Sequence, residues 1–411
     1  MLRFRISLLK YLFQKRKYPL FALKGEYGGV IKTNEMQKRL KISKFVKHDN
    51  HYYFSLTLPH WPSEAFDNMT ANGGLNITAA GTYLKKQIDT AILGITRKCK
   101  YECIHCYEHL NLNDNEIVPV EKWQEVIGVL QKRGVSVITF SGGEPMMRYN
   151  DLIELLETAD HSLSDFHIHT SGYGVSPENA LRLRSAGLDA AGVGLDDVDP
   201  SRNDLFRGYK GAYEQAVRAI KCFQDAGIFT YVNFCPTREI IRSGDIINYL
   251  DLLKDLNVGI VRWLEPRPSG AFLDAGEEIL LNQEDKDILT SLYIKYNTSK
   301  EYEDYPLISY EAFSELPINM GCMMGGNSLL YIDSIGNVEP CVFVPVTFGN
   351  ILDEDFRLIL ERLRKAFPKP LHTECPSVQL SPLIKKKKED GIELPVPYYE
   401  LSKELQALEN R

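Results

Sequence analysis

The sequence predicts an α/β protein built on a parallel sheet with helical crossovers, open or curled into a partial barrel. Six short apolar runs between residues 91 and 264 alternate with amphipathic helical patterns. Several of those helical patterns end in Gly, a common residue just past a helix C-terminus. The two most unusual motifs each follow a strand, and the carboxyl ends of strands are where parallel α/β folds carry their chemistry.

Taken in order, AILGIT (91–96) reads as a buried strand, EKWQEVIGVLQKRG (121–134) as a helix closed by glycine and SVITF (136–140) as the next strand. DFHIHT (165–170), AAGVGL (190–195), FTYVNF (229–234) and GIVRWL (259–264) continue the series. PENALRLRSAG, AYEQAVRAIKCFQDAG and DIINYLDLLKDLN supply the helices between them. Before residue 90 the texture differs: EMQKRLKISKFVKH (35–48) reads as a helix and HYYFSLTLPHWP (51–62) as a strand or hairpin arm. After residue 300, SLLYIDSIGNVEPCVF (328–343) reads as a hairpin turned at Asp333–Asn337, and DEDFRLILERLRKAF (353–367) as a helix. Lys385–Lys388 and the following LPVPYY read as a loop and a tail, and no internal repeat is visible.

The chain has 411 residues, 44% hydrophobic and 25% charged, the composition of a globular protein with room for two or three domains. Its eight cysteines are too sparse for a disulfide scaffold, and their clustering favours metal ligation in a reducing compartment. The basic N-terminus has no apolar run long enough for a signal-peptide core or a membrane span, so a cytoplasmic protein is expected. Residues 1–48 carry 13 Lys and Arg against Glu26 and Glu35, a net of +11, which leaves −18 on the rest of a chain whose total is −7. That basic arm suits an anionic partner such as an acidic peptide, a lipid surface or nucleic acid, of which nucleic acid is not expected here; the plainer reading is a solvated helix and a basic loop.

The run CKYECIHCY places Cys99, Cys103 and Cys106 at C-x3-C-x2-C spacing directly after the first strand. Three thiolates are one short of a closed zinc site but can anchor three irons of a cuboidal cluster, leaving the fourth iron open as a Lewis acid. A zinc knuckle completed by His105 or a distant cysteine is the structural alternative. After the second strand comes SGGEP (141–145), where two glycines permit close backbone approach and Glu144 adds negative charge. It lacks the Lys-Ser/Thr of a phosphate loop.

These two motifs at neighbouring strand ends resemble the radical S-adenosylmethionine (SAM) enzymes, over roughly residues 91–270. The resemblance implies a partial (βα)6 TIM-like barrel in which Cys99, Cys103 and Cys106 hold a [4Fe–4S] cluster and SAM chelates the fourth iron. It implies reductive cleavage of SAM to a 5′-deoxyadenosyl radical that abstracts a substrate hydrogen, with a reductase or flavodoxin-type protein as electron donor. Tyr107 then packs beside the cluster, and Ser141, Gly142, Gly143 and Glu144 meet the methionyl ammonium. Ser171 lies where family members hold the ribose, Arg207 where the SAM carboxylate is paired, and Leu264 where backbone meets adenine. His105 departs from the Tyr or Phe common before the last cysteine.

Cys322, Cys341 and Cys375 form a second set, and the C-x13-G-x4-C pattern before Cys341 resembles the start of the SPASM or twitch auxiliary-cluster region. That likeness implies one auxiliary [4Fe–4S] cluster with three thiolates, its fourth iron open to substrate or capped by His372, Cys235 or another side chain. Three unrelated buried cysteines are the alternative. Cys222 reads as core, and Cys235 as packing first. The expected organisation is an N-terminal extension (1–90), the barrel (91–295), a small C-terminal α+β auxiliary-cluster region (296–380) and a tail (381–411). The expected activity is radical modification of a ribosomally made peptide, with cofactor, small-molecule or lipid biosynthesis as the alternative. A non-catalytic iron–sulfur or zinc protein is the competing class.

Overall fold

Each of the six sequence-predicted strands lies in one sheet. The computed structural model describes residues 39–42, 44–71, 88–371 and 374–409; most of the basic arm and His372 lie outside the described residues. Two short strands, β1 (Val46–His48) and β2 (His51–Tyr53), form an antiparallel hairpin. The main sheet then runs through β3 (Thr90–Thr96), β4 (Val137–Gly142), β5 (Asp165–Thr170), β6 (Ala190–Gly194), β7 (Phe229–Phe234) and β8 (Ile260–Trp263). Three more strands extend it: β9 (Leu307–Tyr310), β10 (Leu329–Ile332) and β11 (Val338–Glu339). The order across the sheet is β11-β10-β3-β4-β5-β6-β7-β8-β9, and only β11 is antiparallel to its neighbour.

Covered faces explain why these segments became strands. Every residue of β3 is buried, as a strand roofed by helices requires. The helix Val120–Lys132 buries Trp123, Val126, Ile127 and Leu130, spaced i, i+3, i+4, i+7 along one face. Side chains from Ile92 on β3 through Ser309 on β9 and Leu329 on β10 line one interior cavity, so the sheet curls around it.

Four expectations change. The predicted helix 35–48 does not extend through Val46–His48, which pairs as β1. The barrel does not end at residue 295, because β9 adds a seventh strand in sequence order and β10 pairs in parallel with β3. The predicted 328–343 hairpin is present as β10 and β11, but it joins the main sheet beside β3 instead of lying wholly within a separate C-terminal region. Lys385–Lys388 lie on the helix Pro376–Glu389, whose Leu380 and Ile384 face the core while the lysines stay in water. In the following tail, β13 (Val396–Pro397) pairs with β12 (Val346–Thr347).

The N-terminal hairpin closes the barrel's amino end. Tyr53 stacks on Phe229 with ring centroids 3.7 Å apart, and Leu56, Ala190, Ile260 and Leu307 complete that apolar seal.

Candidate active site

Three backbone clamps fix the first cysteine loop. The turn after β4 reaches it through Gly143 N to Thr96 O at 2.8 Å and Glu144 N to Lys98 O at 2.7 Å. A Cβ on Gly143 would stand 2.4 Å from Lys98 O, so glycine is required for this approach. On a second side Ile104 N donates to Phe206 O at 3.1 Å, and His105 stacks on the Phe206 ring at 4.5 Å. On the third, Ala271 N donates to Cys106 O at 2.9 Å. The two glycines therefore serve first to dock the cysteine loop, a role the motif did not advertise.

Most of the predicted SAM-site residues stand around one cavity of about 350 Å³, namely Tyr107, Ser141, Gly142, Gly143, Ser171, Arg207 and Leu264. Glu144 lies behind that wall instead. Its carboxylate accepts from Met146 N (3.0 Å), Thr170 Oγ1 (2.7 Å), Ser171 N (2.7 Å) and Ser171 Oγ (2.6 Å), so it braces the SGGEP turn against the end of β5. Tyr107 and Ser141 share a 2.5 Å hydroxyl hydrogen bond. Leu264 N is taken by Phe234 O at 2.9 Å. Arg207 pairs with Asp196 at 2.5 Å and sits over Gly194, where a Cβ would meet its guanidinium. Its positive charge also faces the Cys103 thiol.

The second cysteine set meets the same cavity. Cys322 exchanges backbone hydrogen bonds with Leu371 (2.7 and 3.0 Å), while Gly325 N reaches Pro340 O at 3.0 Å beside Cys341. Cys375 is the residue just before the helix Pro376–Glu389, and its Sγ lies 3.1 Å from Ser377 Oγ. Cys322, Cys341 and Cys375 all line the cavity, as do Cys99, Cys103 and Cys106. Cys235 also lines it, beside Asp196, whose Oδ1 accepts its amide at 2.8 Å. Cys222 is buried in a helix away from it.

Both thiol sets have the chemistry of metal ligands. All eight cysteines are free of disulfides. Burial pushes the Cys99 thiol up to about 12 and raises Cys103, Cys106, Cys322 and Cys341 as well. Thiolates at such places need a cation beside them. Among the described residues the one His/Cys/Asp/Glu group drawn within 4.8 Å is His60, Asp165 and Asp189, at the barrel's other end.

Sequence reasoning missed several cavity residues: Asp196, His169, Tyr231, Arg262, Arg267 and Glu315. Strand alternation was the available signal for three of them, since His169, Tyr231 and Arg262 occupy inward positions of β5, β7 and β8.

Residues 93–263 match the family model described as the Radical SAM superfamily. The chain is 26% identical over 285 residues to an AdoMet-dependent heme synthase of Nitratidesulfovibrio vulgaris, spanning 64% of this chain and 76% of that one. It is 34% identical over 174 residues to an Fe-coproporphyrin III synthase of Methanosarcina barkeri, 42% of this chain and 43% of that one. Among solved structures it superposes on Streptococcus suis SuiB bound to precursor peptide SuiA with a TM-score of 0.55 and 16% identity, covering 80% of this chain and 75% of the other.

Proposed function

From the radical SAM enzyme fold, matched over residues 93–263, we infer a chain that cleaves SAM reductively and abstracts a hydrogen from a substrate held between two iron–sulfur sites. The observation that carries this reading is the single cavity whose wall holds all six clustered cysteines. Cys99, Cys103 and Cys106 would hold the SAM-coordinating [4Fe–4S] cluster, and Cys322, Cys341 and Cys375 an auxiliary one. The first cluster, when bound, supplies the electron that splits SAM into methionine and the 5′-deoxyadenosyl radical.

The chain's own residues bind and orient. Ser141, Gly142 and Gly143 offer backbone to the methionyl group, with Glu144 holding their turn rigid. Ser171 and Leu264 stand at the mouths of β5 and β8 for ribose and adenine. Arg207 neutralises Asp196, and its Nε, unpartnered among the described residues, remains to donate to the SAM carboxylate. Tyr53, Leu56 and their neighbours close the barrel floor, keeping water from the radical.

For substrate we favour a carboxylate-bearing small molecule of cofactor biosynthesis, such as an iron porphyrin, over the peptide expected from the basic arm. Two curated relatives carry heme and Fe-coproporphyrin synthase names, and the half-buried Arg262 and Arg267, paired with Glu311 and Glu265, put positive charge on the cavity wall where a substrate carboxylate could compete for it. Peptide modification remains the second reading, on the likeness to SuiB solved with a peptide. The basic segment 1–38 lies outside the described residues and adds nothing here. A flavodoxin-type reductase would deliver the electron. No helix among the described residues is long and apolar enough to cross a membrane.

Anaerobic protein incubated with SAM, dithionite and Fe-coproporphyrin III tests both levels. The reading expects 5′-deoxyadenosine formed with consumption of the porphyrin, and no cleavage in Cys103→Ala. Iron-loaded protein that yields no 5′-deoxyadenosine contradicts the enzyme reading; cleavage that leaves porphyrin unchanged but alters a peptide favours the second substrate class.

A further inference from the structure

A second, smaller cavity of about 30 Å³ lies between the first cysteine loop and the hairpin that leads into Cys341. Three acids line it, Glu108, Asp333 and Glu339, each at most 5% exposed. Glu108 stands two residues after Cys106 and Glu339 two before Cys341, so the cavity joins the segments that carry the two thiol sets.

Contacts fix this placement. Ser334 Oγ donates to Glu108 Oε2 at 2.9 Å and Ser334 N to Glu108 Oε1 at 3.3 Å. From the same loop, Asn111 Nδ2 reaches Asp333 Oδ2 at 3.4 Å. A Cβ on Gly94 would stand 2.9 Å from Ser334 N and 3.1 Å from Glu108 Oε1, so glycine lets the two segments meet over β3. On the hairpin, Tyr331 and Glu339 are direct cross-strand partners, and both line the cavity with Asp333.

Buried carboxylates call for a cation or a full set of hydrogen bonds. The donors to Glu108 and Asp333 are neutral, from Ser334, Asn111, Ile335 and Asn337. No Lys, Arg or His of the described residues lines the cavity. Tyr331 supplies an independent sign. It is 2% exposed, and its hydroxyl has no hydrogen-bond partner among the described residues. Three carboxylates and a phenol around a space for one ion make a hard, all-oxygen donor set. The acids stand wider than the 4.8 Å of the group at the barrel floor. Calcium–oxygen bonds of about 2.3–2.6 Å suit that spread better than magnesium bonds of about 2.1 Å, and the space is too small for the waters magnesium keeps.

We propose that Glu108, Asp333, Glu339 and Tyr331 bind one calcium-sized divalent cation that pins the first cysteine loop to the hairpin of the second thiol set. The site depends on the fold and not on either cluster being loaded.

The test titrates calcium chloride into full-length, anaerobically purified protein stripped with EGTA, reading bound calcium by equilibrium dialysis and the thermal midpoint. The expected result is a single calcium per chain and a raised midpoint, which magnesium at the same concentration does not produce. Glu339→Gln should raise the calcium needed for half the effect by roughly tenfold or more, as loss of a charged ligand does. Tyr331→Phe, which keeps the ring, should raise it too, and decides the matter if Glu339→Gln does not fold. Asp189→Asn at the barrel floor should leave it unchanged. Calcium that neither binds stoichiometrically nor moves the midpoint overturns the proposal, as does an equal response to magnesium. Binding lost in Asp189→Asn but kept in Glu339→Gln and Tyr331→Phe also overturns it, by assigning the ion to the floor.

Discussion

At the scale of single residues, the site separates the thiols proposed to hold metal from the groups that brace their loops. Glu144 shows the difference, because its four accepted hydrogen bonds make it a brace for the turn instead of a free charge in the cavity. Arg207 is similar, tied to Asp196 before any ligand arrives. For the thiols themselves, Cys341→Ala should remove about half of the bound iron, since two clusters of four irons are expected. Iron and sulfide analysis of anaerobically purified protein checks this, and unchanged iron would refute the auxiliary site. Chemistry at this scale was partly legible. Cysteine spacing marked all six ligand candidates, but Asp196 is an ordinary acid in sequence, and only folding brings it to the Arg207 guanidinium.

Among elements, the decisive contact is between the β4 turn and the first cysteine loop. Gly143→Ala would drive a methyl to 2.4 Å from Lys98 O and should cost about 1–3 kcal/mol through overpacking. The expected result is a lowered thermal midpoint with loss of iron from the first site; full iron and an unchanged midpoint would show the clamp to be unimportant. Six strands were readable because apolar runs such as FTYVNF are bounded by clear helix stops. LISY, which forms β9, was not readable, being only four residues long and placed after a helix whose apolar pattern is weak. Four consecutive lysines concealed the helix Pro376–Glu389, whose inward Leu380 and Ile384 decide its fold.

Across the whole molecule, the barrel is sealed at one end and carries its chemistry at the other. The seal has a titratable lock, in which His60 Nδ1 meets Asp165 at 2.7 Å, with Asp189 beside them and His51, Arg184, Asp49 and Tyr53 around. Burial opposes protonation of His60, but its bond to Asp165 outweighs this and raises it above 6.5. Burial and then Asp165 push Asp189 up from 3.8 to about 7. Both groups are thus easier to protonate when folded, so their stabilisation is full at low pH and lost as pH rises. The thermal midpoint should fall between pH 6 and pH 8, less steeply in Asp189→Asn; a midpoint rising over that window would contradict the lock. The sequence's charge asymmetry pointed to the N-terminal arm, whereas the described part of that region works as a plug. The hairpin at 328–343 was legible, but its place beside β3 was not, because parallel pairing between strands more than 200 residues apart leaves no local signal. That pairing brings the second thiol set to the first one's cavity, and the functional account depends on it. The most direct test is the resonance spectrum of the reduced, oxygen-free protein recorded before and after SAM is added. The account predicts that SAM shifts the signal lost in Cys103→Ala and leaves the signal lost in Cys341→Ala in place; a spectrum wholly indifferent to SAM would contradict it.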